Sequence, residues 1–175
     1  MTKNQRKIFY PTIFFLGAIL MIFQVEIYRN TIIDLIIPFG IVIIIGLLAF
    51  ILDFKKYKMT YEYSGIGLYL YSTINYLIGF GFIACSTFML SNYYFADKKV
   101  ETQSYEILNR TYIQGTKKSG LSEKQPVFKI KYNSDYKELV FASKYYETMD
   151  YYNIVEFDIR KGFFGFDILE NKKLK

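Results

Sequence analysis

The chain contains no histidine and no tryptophan, and it has one cysteine and three prolines among 175 residues. Histidine is the commonest metal ligand and the commonest acid/base group near neutral pH. Its absence removes zinc hydrolase sites and Ser-His-Asp triads from consideration. The single Cys85 cannot form an intrachain disulfide and says nothing about redox compartment. Phosphate-binding motifs are also missing: Gly162 and Gly165 belong to no G-x-G-x-x-G run and no P-loop, and read instead as backbone positions in a tight turn and a crowded strand. The acids Glu147, Asp150, Glu156, Asp158 and Asp167 read as solvent-facing. No residue is therefore assigned to catalysis, to a cofactor or to a metal, and the chain is expected not to be an enzyme.

Charge is scarce in the first 96 positions. Residues 63–96 run for 34 positions without a charge; as a helix rising about 1.5 Å per residue, such a run outreaches a hydrocarbon core of roughly 30 Å. Residues 8–25 form an uncharged run of 18 after Lys3, Arg6 and Lys7. No small-x-small cleavage site follows it, so it reads as an uncleaved span with Pro11 in its first turn. Residues 32–52 carry Asp34 as their only charge, placed in the opening turn at the positive end of the helix dipole. The spacing predicts three transmembrane helices at about 8–25, 32–52 and 66–90 in a membrane region of residues 1–96, joined by polar links at 26–31 and 53–62.

Lys3, Arg6, Lys7, Lys55, Lys56 and Lys58 lie in the tail and the second link, against Arg29 alone in the first. The positive-inside bias then puts the N-terminus in the cytoplasm and the C-terminal part outside it, in the inner (cytoplasmic) membrane; Lys98 and Lys99 weigh the other way. Within the third span Gly79, Gly81 and Cys85 offer a smooth face for helix packing, against the chain's own first two helices or against another copy. Asn75, the one strongly polar side chain at depth, is expected to form an interhelical hydrogen bond.

From Asp97 onward apolar residues alternate. Residues 104–113 predict a first strand, 115–126 a polar loop, and Phe128, Ile130 and Tyr132 a strand that turns at 133–135 into Leu139 and Phe141. Residues 143–152 read as irregular or a short helical turn. Val155, Phe157 and Ile159 predict a fourth strand, and Phe164, Phe166 and Ile168 a fifth. The expected architecture is membrane α plus β: three transmembrane helices, then a soluble domain of residues 97–175 built as a small five-stranded sheet or partly open barrel of SH3 or OB type. The net charge of +6 is dispersed, with 15 basic against 12 acidic residues from Asp97 onward, so nucleic acid is not an expected partner. Tyr145, Tyr146, Tyr151 and Tyr152 form the candidate partner surface, since tyrosine is a frequent interface anchor.

The segment PVFKIKYNSDYKELVFAS, followed by IVEFDIRKGFFGFDIL, resembles the soluble β segment of small bacterial multi-span membrane proteins that have no established activity to transfer. The resemblance covers about 75 residues and implies a β segment beside membrane spans. The resulting expectation is a membrane anchor presenting a β module to another protein of the cell envelope, as a complex subunit or a protective factor. An oligomeric pore or transport component is the alternative, and a membrane enzyme a more distant one.

Overall fold

The structure, a computed structural model, describes residues 1–116, 122–133 and 135–175. It divides into two compact units, one of Met1–Tyr28 and Ile33–Tyr94, the other of Arg29–Ile32 and Phe95–Lys175.

The first unit is helical. Its helices are α1 (Lys3–Arg29), α2 (Ile36–Thr60), and a third rod in which α3 (Gly65–Tyr76) passes through a π turn (Leu77–Gly81) into α4 (Phe82–Tyr94). All three rods are long and apolar enough to cross a membrane, and in the most apolar windows of the first two only 17% of residues are buried. Ile44, Ile51, Leu52 and Ile66 point outward, which inverts the pattern of a helix bundle in water.

Helix ends differ from the sequence reading because polarity does not by itself stop a helix. Residues 53–60 contain no glycine or proline, so α2 continues through them, and the second link shrinks to residues 61–64. Since α1 starts at Lys3, Pro11 lies roughly two turns inside it rather than in its first turn; spanning helices tolerate this. Asp34 precedes α2 and accepts a hydrogen bond from the Ile36 N–H at 2.9 Å, satisfying a donor of the helix's first turn that has no partner within the helix.

The second unit is an open five-stranded antiparallel sheet in the order β3-β2-β1-β4-β5. The strands are β1 (Val100–Thr116), β2 (Ser122–Tyr132), β3 (Asp135–Val140), β4 (Ile154–Lys161) and β5 (Asp167–Leu174). β1 is long enough to serve two partners: residues 100–106 pair with β4, residues 107–116 with β2, and the register breaks between Ile107 and Asn109. An irregularity there lets one strand bend the sheet around its core. That core comprises Phe128, Ile130, Leu139, Val155, Phe157 and Leu169, with Tyr105, Tyr145, Met149 and Tyr152 packed against it.

Several sequence expectations shift. The predicted loop at 115–126 is strand at both its ends, with Pro126 paired to Tyr112 in β2; its residues 117–121 lie outside the described residues, as does Ser134 of the predicted turn at 133–135. The fifth strand starts at Asp167 rather than near Phe164. Gly165 takes φ +87 and its N–H bonds back to the Gly162 carbonyl at 2.8 Å, so residues 162–165 form the β4–β5 turn. The irregular stretch resolves into two short 3-10 turns, Ser143–Tyr145 and Met149–Tyr151.

The stretch between the first two long helices belongs to this sheet. Thr31 forms an antiparallel bridge with Ile168; the Ile32 N–H donates to the Asp167 carbonyl at 2.8 Å, and the Leu169 N–H to the Asn30 carbonyl at 2.7 Å. From β3, Lys137 Nζ donates to the Thr31 carbonyl at 2.8 Å, and Ile32 packs on the core. Residues 30–32 thus cover the otherwise bare edge of β5, as exposed strand edges require. Ile32→Pro removes one N–H from this seam, and deuterium uptake at the Leu169 amide is expected to accelerate; unchanged uptake would show that the seam does not hold the edge.

Candidate functional site

Where α1, α2 and α3 meet, four tyrosine and carboxylate side chains form a polar knot in an aromatic setting. The rings of Tyr10, Tyr57 and Tyr76 pack with centroids 4.9 to 6.2 Å apart. The hydroxyls of Tyr10 and Tyr76 both donate to Asp53 Oδ2, at 2.7 and 3.0 Å, while Lys56 Nζ lies 3.2 Å from Asp53 Oδ1. One carboxylate on α2 therefore ties α1 and α3 together. A cleft of about 640 Å³ opens beside it, lined by Arg6, Phe9, Tyr10, Leu52, Lys56 and Phe80 among others. The sequence reading left Asp53 in a polar link; its partners lie 43 and 23 positions away, and only the assembled helices bring them together. Asn75 does reach another helix, donating to the Tyr10 carbonyl at 3.3 Å.

Removing the carboxylate with Asp53→Ala leaves two inward hydroxyls without their acceptor. The expected cost is about 2 kcal/mol, as for hydrogen bonds to a charged group, read as a lower melting temperature in detergent. Asp53→Asn, which keeps an acceptor oxygen, is expected to cost less.

Gly79 and Gly81 sit in the π turn, pressed against other helices. A Cβ on Gly79 would lie 2.8 Å from Ile13 Cγ2, one on Gly81 2.6 Å from the Val42 carbonyl oxygen, and one on Gly17 2.1 Å from the Ile78 carbonyl oxygen. Cys85 is buried with Val42 and Met89. The three residues singled out for helix packing therefore face this chain's own α1 and α2. The π turn itself leaves no periodic signal in the sequence; it inserts extra backbone where close approach is needed.

The tyrosine group of the β unit is divided. Tyr145 and Tyr152 pack on the core, whereas Tyr151 is 81% exposed. Tyr146 stacks edge-on with Tyr112 at 5.5 Å, and Lys124 lies over both rings, at 4.7 Å from the Tyr112 centroid and 5.1 Å from that of Tyr146. Arg110 sets this division: its guanidinium donates to the Met149 and Tyr152 carbonyls and to Asn153 Oδ1, pinning the second 3-10 turn so that adjacent tyrosines face opposite ways. Tyr112 and Lys124 were not among the predicted surface residues, and only the β1–β2 pairing aligns them with Tyr146.

Among the acids, Asp167 departs from the solvent-facing reading. It accepts a hydrogen bond from the Tyr132 hydroxyl at 2.8 Å, and Tyr132 is buried beside Tyr105 and Phe157. Burial first, then the Asp167 carboxylate, push the Tyr132 phenol above its ordinary value. A group whose folded-state pKa is raised contributes stability that is complete below its unfolded value, about 10 for tyrosine, and is lost as pH rises through the folded value. Tyr132→Phe is expected to flatten the alkaline decline in protease resistance of the β unit, at a cost of about 1 kcal/mol at neutral pH.

Among the described residues, no group of three or more His, Cys, Asp and Glu comes together in a way that could hold a metal ion. No protein-family model, no curated protein and no solved structure matches the chain.

Proposed function

We propose that this chain is a non-enzymatic integral membrane protein of a bacterial envelope, whose three spans anchor a β module that binds another protein, as a subunit of a complex or a protective factor. The observation that carries the reading is the composition of the β unit. It takes in Arg29–Ile32 as well as Phe95–Lys175, so the chain joins sheet to helices at three places. Such a module is spliced into its anchor: after a cut behind Tyr94, residues 95–175 are still held to the chain by the hydrogen-bonded seam with residues 30–32. Two crossings between Ile32 and Phe95 return the chain to the side it left, as a three-span topology requires, and the basic bias of the tail and of residues 53–62 puts that side outside the cytoplasm.

The outward aliphatic surface of α1 and α2 supports lipid as their solvent. The partly exposed Tyr112, Tyr146 and Tyr151 support a protein partner, because tyrosine gives large contact area at low entropic cost. The pore alternative draws no support from Gly79 and Gly81, whose close contacts are made within the chain. A photo-crosslinking residue at Tyr146 or Tyr151 in living cells tests the reading. The expected product is one discrete adduct with a different protein. No adduct at either site, or an adduct of two copies of this chain formed from Ile44, would overturn it.

A further inference from the structure

We infer that the β4–β5 turn is a lipid-contacting wedge, by which the β module rests on the headgroup layer of the membrane its helices cross. The inference rests on the span reading above. Phe95 is the first residue after α4, and it is 69% exposed. Phe163 and Phe164, at the centre of the 162–165 turn, are 61% and 46% exposed. These three rings adjoin one another: Phe95 meets Phe163 at 6.0 Å and Phe163 meets Phe164 at 5.0 Å, both edge-on.

The turn that carries them is a built feature. The Gly165 N–H bonds to the Gly162 carbonyl at 2.8 Å, the Gly162 N–H to the Phe166 carbonyl at 3.1 Å, and the Asp97 N–H to the Lys161 carbonyl at 2.8 Å. The last of these holds the chain leaving the third span against the base of the turn. A tight turn is ordinarily filled by small polar residues; two adjacent phenylalanines presented outward at its tip are unfavourable in water and favourable in an apolar medium.

Two further observations select phospholipid as that medium. The cluster is continuous in the chain with a helix long and apolar enough to span, so one of its rings leaves the bilayer at headgroup depth. Exposed Lys98, Lys99 and Lys161 flank the rings, accompanied by Asp97 and Glu101, and Lys99 is paired with Glu101 at 2.8 Å. Lysines beside aromatic rings at the membrane boundary complement phosphate headgroups.

The chain lacks tryptophan, so a single introduced one reports its own surroundings. Full-length Phe163→Trp, Tyr151→Trp and Ile44→Trp are reconstituted separately in vesicles of phosphatidylcholine and phosphatidylglycerol, with and without brominated lipid. Phe163→Trp is expected to emit to the blue of Tyr151→Trp and to lose much of its intensity to bromine, as Ile44→Trp does, while Tyr151→Trp is unaffected. Emission from Phe163→Trp that matches Tyr151→Trp overturns the inference. Blue-shifted but unquenched emission also overturns it, since the turn is then covered by protein, a second copy included. If Ile44→Trp itself is unquenched, the span reading fails; if Ile44→Trp is quenched and Phe163→Trp is not, only the wedge fails.

Discussion

Gly17→Ala is expected to unfold the helical unit under conditions in which Gly40→Ala leaves it intact. The added methyl at position 17 would lie 2.1 Å from the Ile78 carbonyl oxygen and 2.7 Å from that of Gly79. Both are backbone atoms, so no side-chain rotation relieves the clash. An ordinary contact needs about 3.5 Å, so α1 must back away by more than an ångström. The cost is on the order of 3 kcal/mol, at the upper end for overpacking, or about a hundredfold in the folded-to-unfolded ratio. At Gly40 nothing lies within 4 Å, and alanine's better helix propensity leaves stability unchanged or slightly raised. Gly79→Ala is expected to fall between them, because its one tight contact is with a side-chain methyl, Ile13 Cγ2 at 2.8 Å, while the backbone atoms of Ile13 lie at 3.5 Å and beyond. Titration from mild detergent into dodecyl sulfate, followed by helix content, ranks the variants; equal midpoints for positions 17 and 40 would mean that the close approach of α1 to the π turn is not formed in solution.

Phe157→Ala is expected to abolish the folded β unit while the helices stay intact. The Phe157 ring is fully buried and stacks on Tyr105 at 5.0 Å with an interplanar angle of 5°. Truncating a buried phenylalanine costs about 4 kcal/mol. A sheet of this size is stable by only a few kcal/mol, because a small module buries a modest fraction of its surface. Limited trypsin digestion of membrane-embedded protein is the measurement. The Lys- and Arg-rich C-terminal half should be cut rapidly in Phe157→Ala, while a helical fragment survives. Tyr151→Ala, at a side chain 81% exposed, serves as the comparison and should resemble the parent.

The sequence carries what is local and periodic. The uncharged run at 63–96 marks the third rod, and the alternation through Val155, Phe157 and Ile159 marks β4, because burial repeats at intervals that composition alone reveals. It does not carry contacts that depend on assembly. Residues 29–31 read as a plain polar link, yet Asn30 and Thr31 complete the edge of β5 nearly 140 positions later. Asp53 looks like the start of a hydrophilic segment until α1 and α3 bring up Tyr10 and Tyr76. The alternation of Phe164, Phe166 and Ile168 imitates a strand, whereas Gly165 takes a positive φ and Phe164 lies exposed in the turn before it. The tyrosines at 145–152 share one composition, and their division between core and surface depends on contacts from afar, among them those of Arg110, about 40 positions earlier, with the turn at Met149 and Tyr152.

The anchoring role requires three rods that cross a bilayer, with residues 29–32 and the rest of the β unit on one side of it. In a Cys85→Ser background, single cysteines at Arg29, Glu62 and Tyr151 can be probed in intact cells or sealed vesicles with a membrane-impermeant maleimide. Arg29→Cys and Tyr151→Cys are expected to label from the same side, and Glu62→Cys, between α2 and α3, only from the other. Labelling of Glu62→Cys together with Tyr151→Cys from one side of a sealed membrane would contradict the topology and the anchoring role with it.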